Sequence, residues 1–440
     1  MPAKIVRDPL YNYIGIDDPW IIDLLDCPEV QRLRRIHQLG VSEITYPGAS
    51  HTRFAHTLGV LHLMQEVLRR LETLDEVRPQ VQRARAPLLA AAVLHDVGHG
   101  PFSHLFESCL GINHEKWSTR VILDSDTQVN KALRTFDGTL PAVVAALIDE
   151  DGSEDVHPWQ KFLLSSQLDV DRMDYLRRDS LFTGSGYGHF DWYRLINTLD
   201  FHREDGQLDI VWPEKAKFAI EEFIFARYYM YQNVYLHKTT RGFEQLLQAM
   251  WERAKQLRED DTDVNLVSAI AEFWNAGNDA TVDQYLRIEE FTVLEQIQRW
   301  QDHDEPVLSD LARRFLSRDR FAMIEGPEPT GDLAGGHEKW EAALRERVAQ
   351  ANLDPDAYCL RDELKAKYMQ PYFPEPEREE QSAGNAIRVM MAGDSEPTEI
   401  SKVCPRLQPI ARPTQDQYRY YVPMKARDAA ERLRQQWREN

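Results

Sequence analysis

Apolar residues recur every three to four positions along most of the chain, the spacing of helices that bury one face. Asp18 followed by Pro19 marks a helix start, because a carboxylate can accept from the first backbone amides and proline fits the first turn. Helices are predicted over 19–26, 28–38, 52–75, 87–96, 113–124, 141–149, 158–167, 171–180, 337–351 and 425–438, with shorter ones within 263–318 and a long helical stretch from 213 to 257 broken near Lys238.

Extended segments are few and short. Residues 5–16 predict a strand pair, and 207–212 predict a single strand. Near the C-terminal end, 386–391, 397–403 and 417–423 predict one small sheet.

Two segments predict irregular structure. Residues 325–336, rich in glycine and proline, indicate a loop or linker, and 374–380 indicate a solvated loop. The fold class expected from this order is mainly α, with a helical core and helical extension over 1–325 and a small α+β region over 326–440.

Composition narrows the class of protein. The chain has 440 residues, 42% of them apolar, and a net charge of −20, which disfavours broad binding to nucleic acid or to anionic membranes. Its apolar runs are too short to span a membrane, and the first residues lack a secretory apolar segment. Four scattered cysteines without a CxxC pair indicate reduced thiols, so we expect a cytoplasmic protein.

The segment 94–100, LHDVGHG, carries the most informative chemistry. An apolar run from Pro87 to Leu94 predicts a buried helix, which Gly98 would end. At such an end His95 and Asp96 can both turn onto one metal ion, and an imidazole with a carboxylate suits Mn, Fe, Zn or Mg. Taken alone, the pair is more often a polar helix end with a solvated aspartate.

The surrounding segments favour the metal site over the solvated aspartate. Residues 51–60 open an amphipathic helix with His56, and residues 168–176, LDVDRMDYL, contain Asp171. The order H…HD…D resembles the HD phosphohydrolase superfamily, and its deoxynucleoside triphosphate (dNTP) triphosphohydrolase branch in particular. The resemblance covers about residues 4–245, and its most specific stretches are 26–34 (DCPEVQRLR), 46–51 (YPGASH), 95–104 (HDVGHGPFSH), 169–171 (DVD) and 235–238 (YLHK).

The resemblance implies one divalent metal, Mn, Mg, Fe, Zn or Co, at the HD pair. Its ligands would be His56, His95, Asp96 and Asp171, which leave coordination positions open for water and substrate.

Further histidines follow the HD pair. His99 lies one helical turn past His95 and can face the same cleft. By resemblance, His104 transfers a proton, and Glu107 could orient it, although the family more usually has aspartate there. His114 resembles a further histidine of the same cluster. For His99 and His114, structural hydrogen bonding is an equally good interpretation.

A nucleotide pocket is predicted beside the metal. Arg53 stands three residues before His56 on one helix face, so it can reach a phosphate held there. Arg227, on a helix with Tyr231 and Tyr235, is also predicted to bind the phosphate chain. Considered singly, it would be a surface ion pair and the nearby tyrosines core packing. The resemblance places Gln38 and Asp179 at the sugar 3′-hydroxyl, Tyr175 under the sugar, Leu39, Tyr231 and Tyr235 at the base, and Arg172 where a related enzyme has lysine.

A second nucleotide site is implied at the start of the chain. Asp26, Gln31 and Arg34, with Lys4, match positions that bind an activating guanine nucleotide between subunits of regulated family members, which favours a homotetramer. Arg7 departs from that pattern. Two simpler interpretations remain, in which Asp26 caps the helix that begins near Pro28 and Arg34 forms an ion pair.

The expected reaction is dNTP plus water giving deoxynucleoside and inorganic triphosphate, with dGTP or GTP as a possible activator. One alternative is another HD hydrolase activity, on a cyclic nucleotide, a nucleoside monophosphate or a guanosine polyphosphate. Another is a nucleotide-sensing module, which need not keep a complete metal ligand set. Nucleic acid is an unlikely partner because of the acidic balance.

Overall fold

Two long helices, α3 (Arg53–Leu71) and α4 (Arg78–Leu94), pack along each other at the centre of the molecule. This computed structural model describes residues 4–103, 107, 112–149, 156–204, 206–326, 336–365, 371–374, 386–411 and 416–439. Over these residues the chain is mainly α, as its pattern predicts, with a helical core and small sheets.

The other α-helices of the described residues follow in chain order. They are α1 (Pro19–Leu25), α2 (Pro28–Gln31), α5 (His114–Leu123), α6 (Gln128–Phe136), α7 (Leu140–Ile148), α8 (Pro158–Leu164), α9 (Val170–Thr183), α10 (Trp192–Thr198), α11 (Lys217–Met230), α12 (Lys238–Glu259), α13 (Ser268–Ala276), α14 (Val282–Leu286), α15 (Glu290–Gln301), α16 (Pro306–Ser317), α17 (Gly336–Gln350), α18 (Pro355–Tyr358), α19 (Ile400–Val403) and α20 (Met424–Glu439).

Local signals set the ends of the helices that carry the site. The Thr52 side chain caps α3 by accepting from the amide of Ala55. Asp169 caps α9 in the same way, through the amide of Arg172, and Gly184 ends that helix in the left-handed conformation, at φ 70°. Because α9 packs against α3, these caps align the residues that follow Thr52 and Asp169.

Two predicted helix boundaries lie furthest from the observed ones. The helix expected from Pro87 begins at Arg78, since burial of Val81 and Ala84 carries the helix through the proline. The helix expected over 28–38 ends at Gln31 and continues as a 3₁₀ turn, Arg32–Arg35. There the buried Arg32 guanidinium donates to the carbonyls of Leu286, His99 and Ile288, contacts that no local pattern reveals.

The strands form one hairpin and two sheets. Strands β1 (Lys4–Asp8) and β2 (Asn12–Ile16) make the predicted pair. One sheet contains, in spatial order, β3 (Asp200–Glu204), β4 (Gln207–Pro213), β7 (Arg388–Met390) and β8 (Thr398–Glu399), and its β4 and β7 are parallel. The other sheet contains, in spatial order, β5 (Ala322–Glu325), β9 (Gln417–Val422) and β6 (Leu360–Leu364).

The single C-terminal sheet was therefore a wrong prediction. Its three segments divide between two sheets, because β7 pairs with β4 and β9 pairs with β5, two strands from earlier in the chain. Helices α6, α10 and α18 and strands β3, β5 and β6 were not predicted. The division at 325/326 stays a prediction, and each sheet contains strands from both sides of it.

Within the described part of the chain, no helix combines the length and the apolar character needed to cross a membrane.

Candidate active site

Four predicted metal ligands come together where α3, the end of α4 and the start of α9 meet. His56 lies on α3, His95 caps the end of α4 with Asp96 next to it, and Asp171 lies in the first turn of α9. Ligand atoms of His56, His95 and Asp96 all lie within 4.8 Å of one another. Asp171 Oδ1 lies 2.9 Å from His56 Nε2 and 3.7 Å from His95 Nε2.

Both imidazoles are held so that Nε2 faces the cluster. His95 Nδ1 lies 3.1 Å from the carbonyl oxygen of Ala92, and His56 Nδ1 lies 2.7 Å from Asp174 Oδ2. The two Nε2 atoms are 3.4 Å apart. Two imidazole nitrogens facing carboxylate oxygens are a donor set that a divalent transition metal accepts, so the residues fit the predicted metal.

The cluster is electrostatically coupled. Burial lowers the pKa of His56, but hydrogen bonds to Asp171 and Asp174 outweigh it and raise the pKa to about 10. Burial raises the pKa of Asp171, yet the neighbouring imidazoles His56 and His95 bring it well below the usual value. Such mutual stabilisation favours a proton shared by these groups when no metal binds, and a cation can replace that proton.

A second group adjoins the first. His99 and His114 stack with ring centroids 3.8 Å apart, and Glu107 Oε1 lies 3.3 Å from His99 Nδ1 and 3.0 Å from His114 Nδ1. His99 Nε2 lies 3.4 Å from Asp96 Oδ1, which joins the two groups. Burial, followed by the charges of Arg53 and His114, lowers the pKa of His99 to about 3, so its ring is neutral at pH 7.

These contacts bring three of the four predicted proton-handling residues together. His104, the fourth, lies outside the described residues. The prediction that Glu107 orients His104 stays a prediction, and the observed neighbours of Glu107 include His99 and His114.

Arg53 lies directly at the metal cluster, as its spacing from His56 predicts. Its Nη1 donates to Asp96 Oδ2 at 2.5 Å, and its Nε and Nη2 donate to Ser103 Oγ at 3.1 and 2.6 Å. Arg53 is 4% exposed, so this is a buried ion pair. Ser103 was missed by the sequence reasoning, although it lies in the segment 95–104 that carries the resemblance.

The predicted sugar contacts follow Asp171 along α9. Tyr175 has its ring centroid 6.5 Å from that of His56 and 6.2 Å from that of Tyr235. Asp179 is buried and accepts from the Tyr235 hydroxyl at 2.8 Å. It also lies 2.7 Å from Nε2 of His51, a partner that was missed although it belongs to the stretch 46–51.

Gln38 and Leu39 precede a 3₁₀ turn, Gly40–Ile44, and are half-buried. The backbone amide of Gln38 donates to the carbonyl of His51 at 3.0 Å, which ties this segment to the partner of Asp179. Gln38 Oε1 is buried and accepts no hydrogen bond within the described part of the chain.

Arg227 is not a surface ion pair, whereas Arg172 pairs with Asp169, with Nε 3.3 Å from Oδ2. Arg227 is 7% exposed, donates to the carbonyl of Pro371 at 2.8 Å and lies 5.6 Å from the centroid of the Tyr231 ring. The Arg172 guanidinium donates to the carbonyl of Ser166 at 2.5 Å. The Tyr231 ring in turn lies 5.0 Å from that of Tyr235, so the two tyrosines predicted at the base form one aromatic group.

The predicted regulatory residues lie together around α1, α2 and β1. Lys4 Nζ lies 3.8 Å from Asp26 Oδ1, and Arg34 Nε donates to Gln31 Oε1 at 2.7 Å. The Arg34 guanidinium also lies 3.7 Å from the ring centroid of Phe54.

The two simpler interpretations of these residues are wrong. Asp26 ends α1, whereas the cap of α2 is Cys27, which makes no side-chain cap bond. Arg34 forms no ion pair with any described residue, and its guanidinium donates to the side-chain oxygen Oε1 of Gln31 instead.

Known proteins match this chain over its helical core. A family model described as HD domain matches residues 53–179, and one described as HD associated region matches residues 190–318. The uncharacterized protein YwfO of Bacillus subtilis is 38% identical over 364 residues, 82% of this chain and 79% of that protein. The human deoxynucleoside triphosphate triphosphohydrolase SAMHD1 is 25% identical over 386 residues, 79% of this chain and 59% of that protein.

A solved structure extends the likeness to nearly the whole chain. The crystal structure of a phosphohydrolase from Bacteroides thetaiotaomicron matches with a TM-score of 0.76 and 26% sequence identity, over 95% of this chain and 99% of that one. The metal-fitting cluster, from His56 to Asp171, falls within the HD-domain match. This chain therefore belongs to the HD-domain superfamily of metal-dependent phosphohydrolases, on the branch that includes the dNTP triphosphohydrolases.

Proposed function

We propose that this protein is a metal-dependent dNTP triphosphohydrolase, which converts dNTP and water to deoxynucleoside and inorganic triphosphate. One observation carries the proposal. Asp171, Tyr175 and Asp179 follow one another at intervals of four residues on α9, so a metal ligand, an aromatic ring and a buried carboxylate share one helix face. A deoxynucleotide with its phosphates at the metal and its sugar over Tyr175 fits that order.

The relatives support the same reaction. SAMHD1 is named a dNTP triphosphohydrolase, and the Bacteroides protein is named a phosphohydrolase. This chain spans 59% of the length of human SAMHD1, and YwfO carries no assigned activity, so the substrate rests on the site's own chemistry.

At the phosphate end, a bound divalent cation would supply an activated water and neutralise phosphate charge. Arg53 adds a fixed positive charge beside it, and a phosphate oxygen can take over the two donors that now bind Ser103. Asp96 keeps the guanidinium in place through Nη1 during that exchange. His104, proposed as the proton donor to the leaving oxygen, belongs to the same segment.

At the sugar end, the Tyr175 ring would lie under the deoxyribose and crowd a 2′-hydroxyl. Asp179, held by His51 and Tyr235, would accept from the 3′-hydroxyl. Binding at both ends places the α-phosphorus at the metal, so cleavage releases intact triphosphate. Tyr231 and Tyr235 would border the base.

Several finer features belong to the same proposal. Mn, Mg, Fe, Zn and Co all suit the donor set. A guanine nucleotide bound at Lys4, Asp26, Gln31 and Arg34 would activate a homotetramer, and a cytoplasmic location suits a nucleotide substrate.

The decisive experiment identifies the phosphorus-containing products. Protein loaded with Mn²⁺ or another divalent metal is incubated with each dNTP and each NTP, with and without GTP. The products are then identified by ³¹P NMR. Triphosphate with deoxynucleoside is the expected result. Orthophosphate or diphosphate as the first product would mean that the phosphate chain binds in the opposite direction. Turnover of a cyclic nucleotide, nucleoside monophosphate or guanosine polyphosphate, with no dNTP turnover, would assign the site to another HD hydrolase activity.

A further inference from the structure

The metal-facing orientation of His56 depends on a buried carboxylate outside the ligand set. Asp174 Oδ2 lies 2.7 Å from His56 Nδ1, and the two side chains are 0% and 1% exposed. An imidazole that donates from Nδ1 to a carboxylate presents Nε2 as its ligand atom, with the ring plane fixed. Here Nε2 is the atom that lies beside His95 and Asp171.

Asp174 itself accepts three further hydrogen bonds. Arg178 donates to both of its oxygens, at 2.8 and 3.0 Å, and the Tyr11 hydroxyl donates to Oδ1 at 2.9 Å. Burial and the charge of Asp174 raise the pKa of Tyr11 well above its usual value, so this hydroxyl keeps its proton and remains a donor.

The N-terminal hairpin supplies one of these contacts, through Tyr11, and also holds the arginine that makes the other two. Arg178 Nη1 donates to Asp8 Oδ2 at 2.8 Å. The other oxygen of Asp8 accepts from the amides of Leu10 and Tyr11, at 2.8 and 3.0 Å. One carboxylate therefore shapes the turn that carries Tyr11 and also anchors the arginine that holds Asp174.

The backbone of α3 makes room for the network at Gly59. A Cβ at this position would lie 1.8 Å from Asp174 Oδ1 and 2.5 Å from Arg178 Nη2, too close for either atom. Gly59 is three residues after His56, so the helix that carries the ligand is also shaped to admit the carboxylate that orients it.

We infer that Asp174 is a positioning residue for His56, and that the hairpin turn, through Tyr11 and Asp8, completes the metal centre although it contributes no ligand to it. The inference rests on the proposed metal-dependent hydrolysis. The inference also makes a separate prediction: a substitution on the hairpin should weaken metal binding.

The test compares two tyrosines of one hairpin. Tyr11→Phe removes only the hydroxyl that holds Asp174. Tyr13→Phe is the matched control, since the Tyr13 hydroxyl accepts from Arg7 on the exposed side, and Tyr13 is 55% exposed. Mn²⁺ affinity is measured by EPR titration, together with kcat and KM for dNTP and the unfolding midpoint in chelator.

Tyr11→Phe should weaken Mn²⁺ binding severalfold and lower kcat at saturating substrate, with KM little changed, while Tyr13→Phe matches wild type. Asp174→Asn should cost about 10- to 100-fold in metal affinity, as partners of metal ligands typically do. Asp174→Glu keeps the charge and should restore more of the metal affinity than Asp174→Asn.

Wild-type Mn²⁺ affinity in Tyr11→Phe, with only a lowered unfolding midpoint, would reduce the network to a structural role and overturn the inference. Tyr11→Phe keeps the buried ion pairs, so its Mn²⁺ affinity still tests the inference even if Asp174→Asn does not fold. Weakened Mn²⁺ binding by Tyr11→Phe, in a protein whose wild type hydrolyses no dNTP, would instead reject the proposed substrate and leave the positioning role standing.

Discussion

Arg53 and Asp96 form a buried ion pair, with Nη1 of the guanidinium 2.5 Å from Oδ2 of the carboxylate. The other oxygen of Asp96 lies 3.5 Å from His95 Nε2 and 3.4 Å from His99 Nε2. One carboxylate thus holds the Arg53 guanidinium through Oδ2 and faces both histidine clusters through Oδ1. Any substitution at Arg53 should therefore change both substrate binding and metal binding.

Arg53→Lys should lower kcat/KM for dNTP by at least about tenfold, or roughly 1.4 kcal/mol of transition-state stabilisation. Lysine keeps the charge but has one nitrogen, so it cannot serve Asp96 and Ser103 together. Arg69→Lys on the exposed part of the same helix is the control and should behave as wild type. Unchanged kinetics in Arg53→Lys would exclude Arg53 from phosphate binding.

Asp171→Ala should abolish hydrolysis and weaken metal binding while most of the fold persists, because Asp171 lies in the first turn of α9 with 31% of its side chain exposed. The double change His95→Ala, Asp96→Ala should also abolish it. Asp75→Ala, at an exposed surface carboxylate, controls for the loss of charge alone. Activity that persists in these variants, or in chelator-treated wild type, would contradict metal dependence.

Tyr175→Ala should relax the preference for dNTP over NTP, since removal of the ring opens the space that a 2′-hydroxyl needs. The comparison is the ratio of kcat/KM for dATP and ATP, with Tyr193→Ala, at a 62% exposed tyrosine, as the control. A ratio unchanged from wild type would place the sugar elsewhere.

Metal affinity should rise with pH between 6.5 and about 10. In the metal-free fold the pKa of His56 is raised from 6.5 to about 10, so the charged imidazole is favoured by folding. The stability from this group is fully present below pH 6.5 and is lost as pH rises through about 10. A cation must displace the same proton, so Mn²⁺ titrations across this window should show tighter binding as metal-free protein becomes less stable. A pH-independent affinity would contradict the assignment of His56 as a ligand.

Regulation by a guanine nucleotide is tested at Asp26, whose side chain is 61% exposed and contacts Lys4. GTP or dGTP should increase dATP hydrolysis by wild type and increase its sedimenting mass, and Asp26→Ala should lose both effects. Glu76→Ala, at an exposed carboxylate beyond α3, should keep them. Equal rate and mass with and without nucleotide, in wild type and variant alike, would limit Asp26 to its contact with Lys4.

The sequence by itself determined the helical class, the position of the His95-Asp96 pair at the end of an apolar helix and the spacing of Arg53 from His56. These features depend on short-range signals, such as the cap at Thr52 and the apolar run before His95, which act within a few residues. Resemblance then connected segments as distant as His56 and Asp171, and the fold brings them to within 2.9 Å.

Only the tertiary structure decided which residues support those ligands. Tyr11 and Asp174 are 163 positions apart, and Asp8 and Arg178 are 170 apart, so no local pattern relates them. The same reason explains the early end of α2 at Gln31, just before Arg32, and the division of the C-terminal strands between two sheets. Buried polar groups and strand edges form hydrogen bonds with the groups that the packed chain places beside them. The free energy lost by leaving them unpaired is larger than the free energy that separates one local conformation from another.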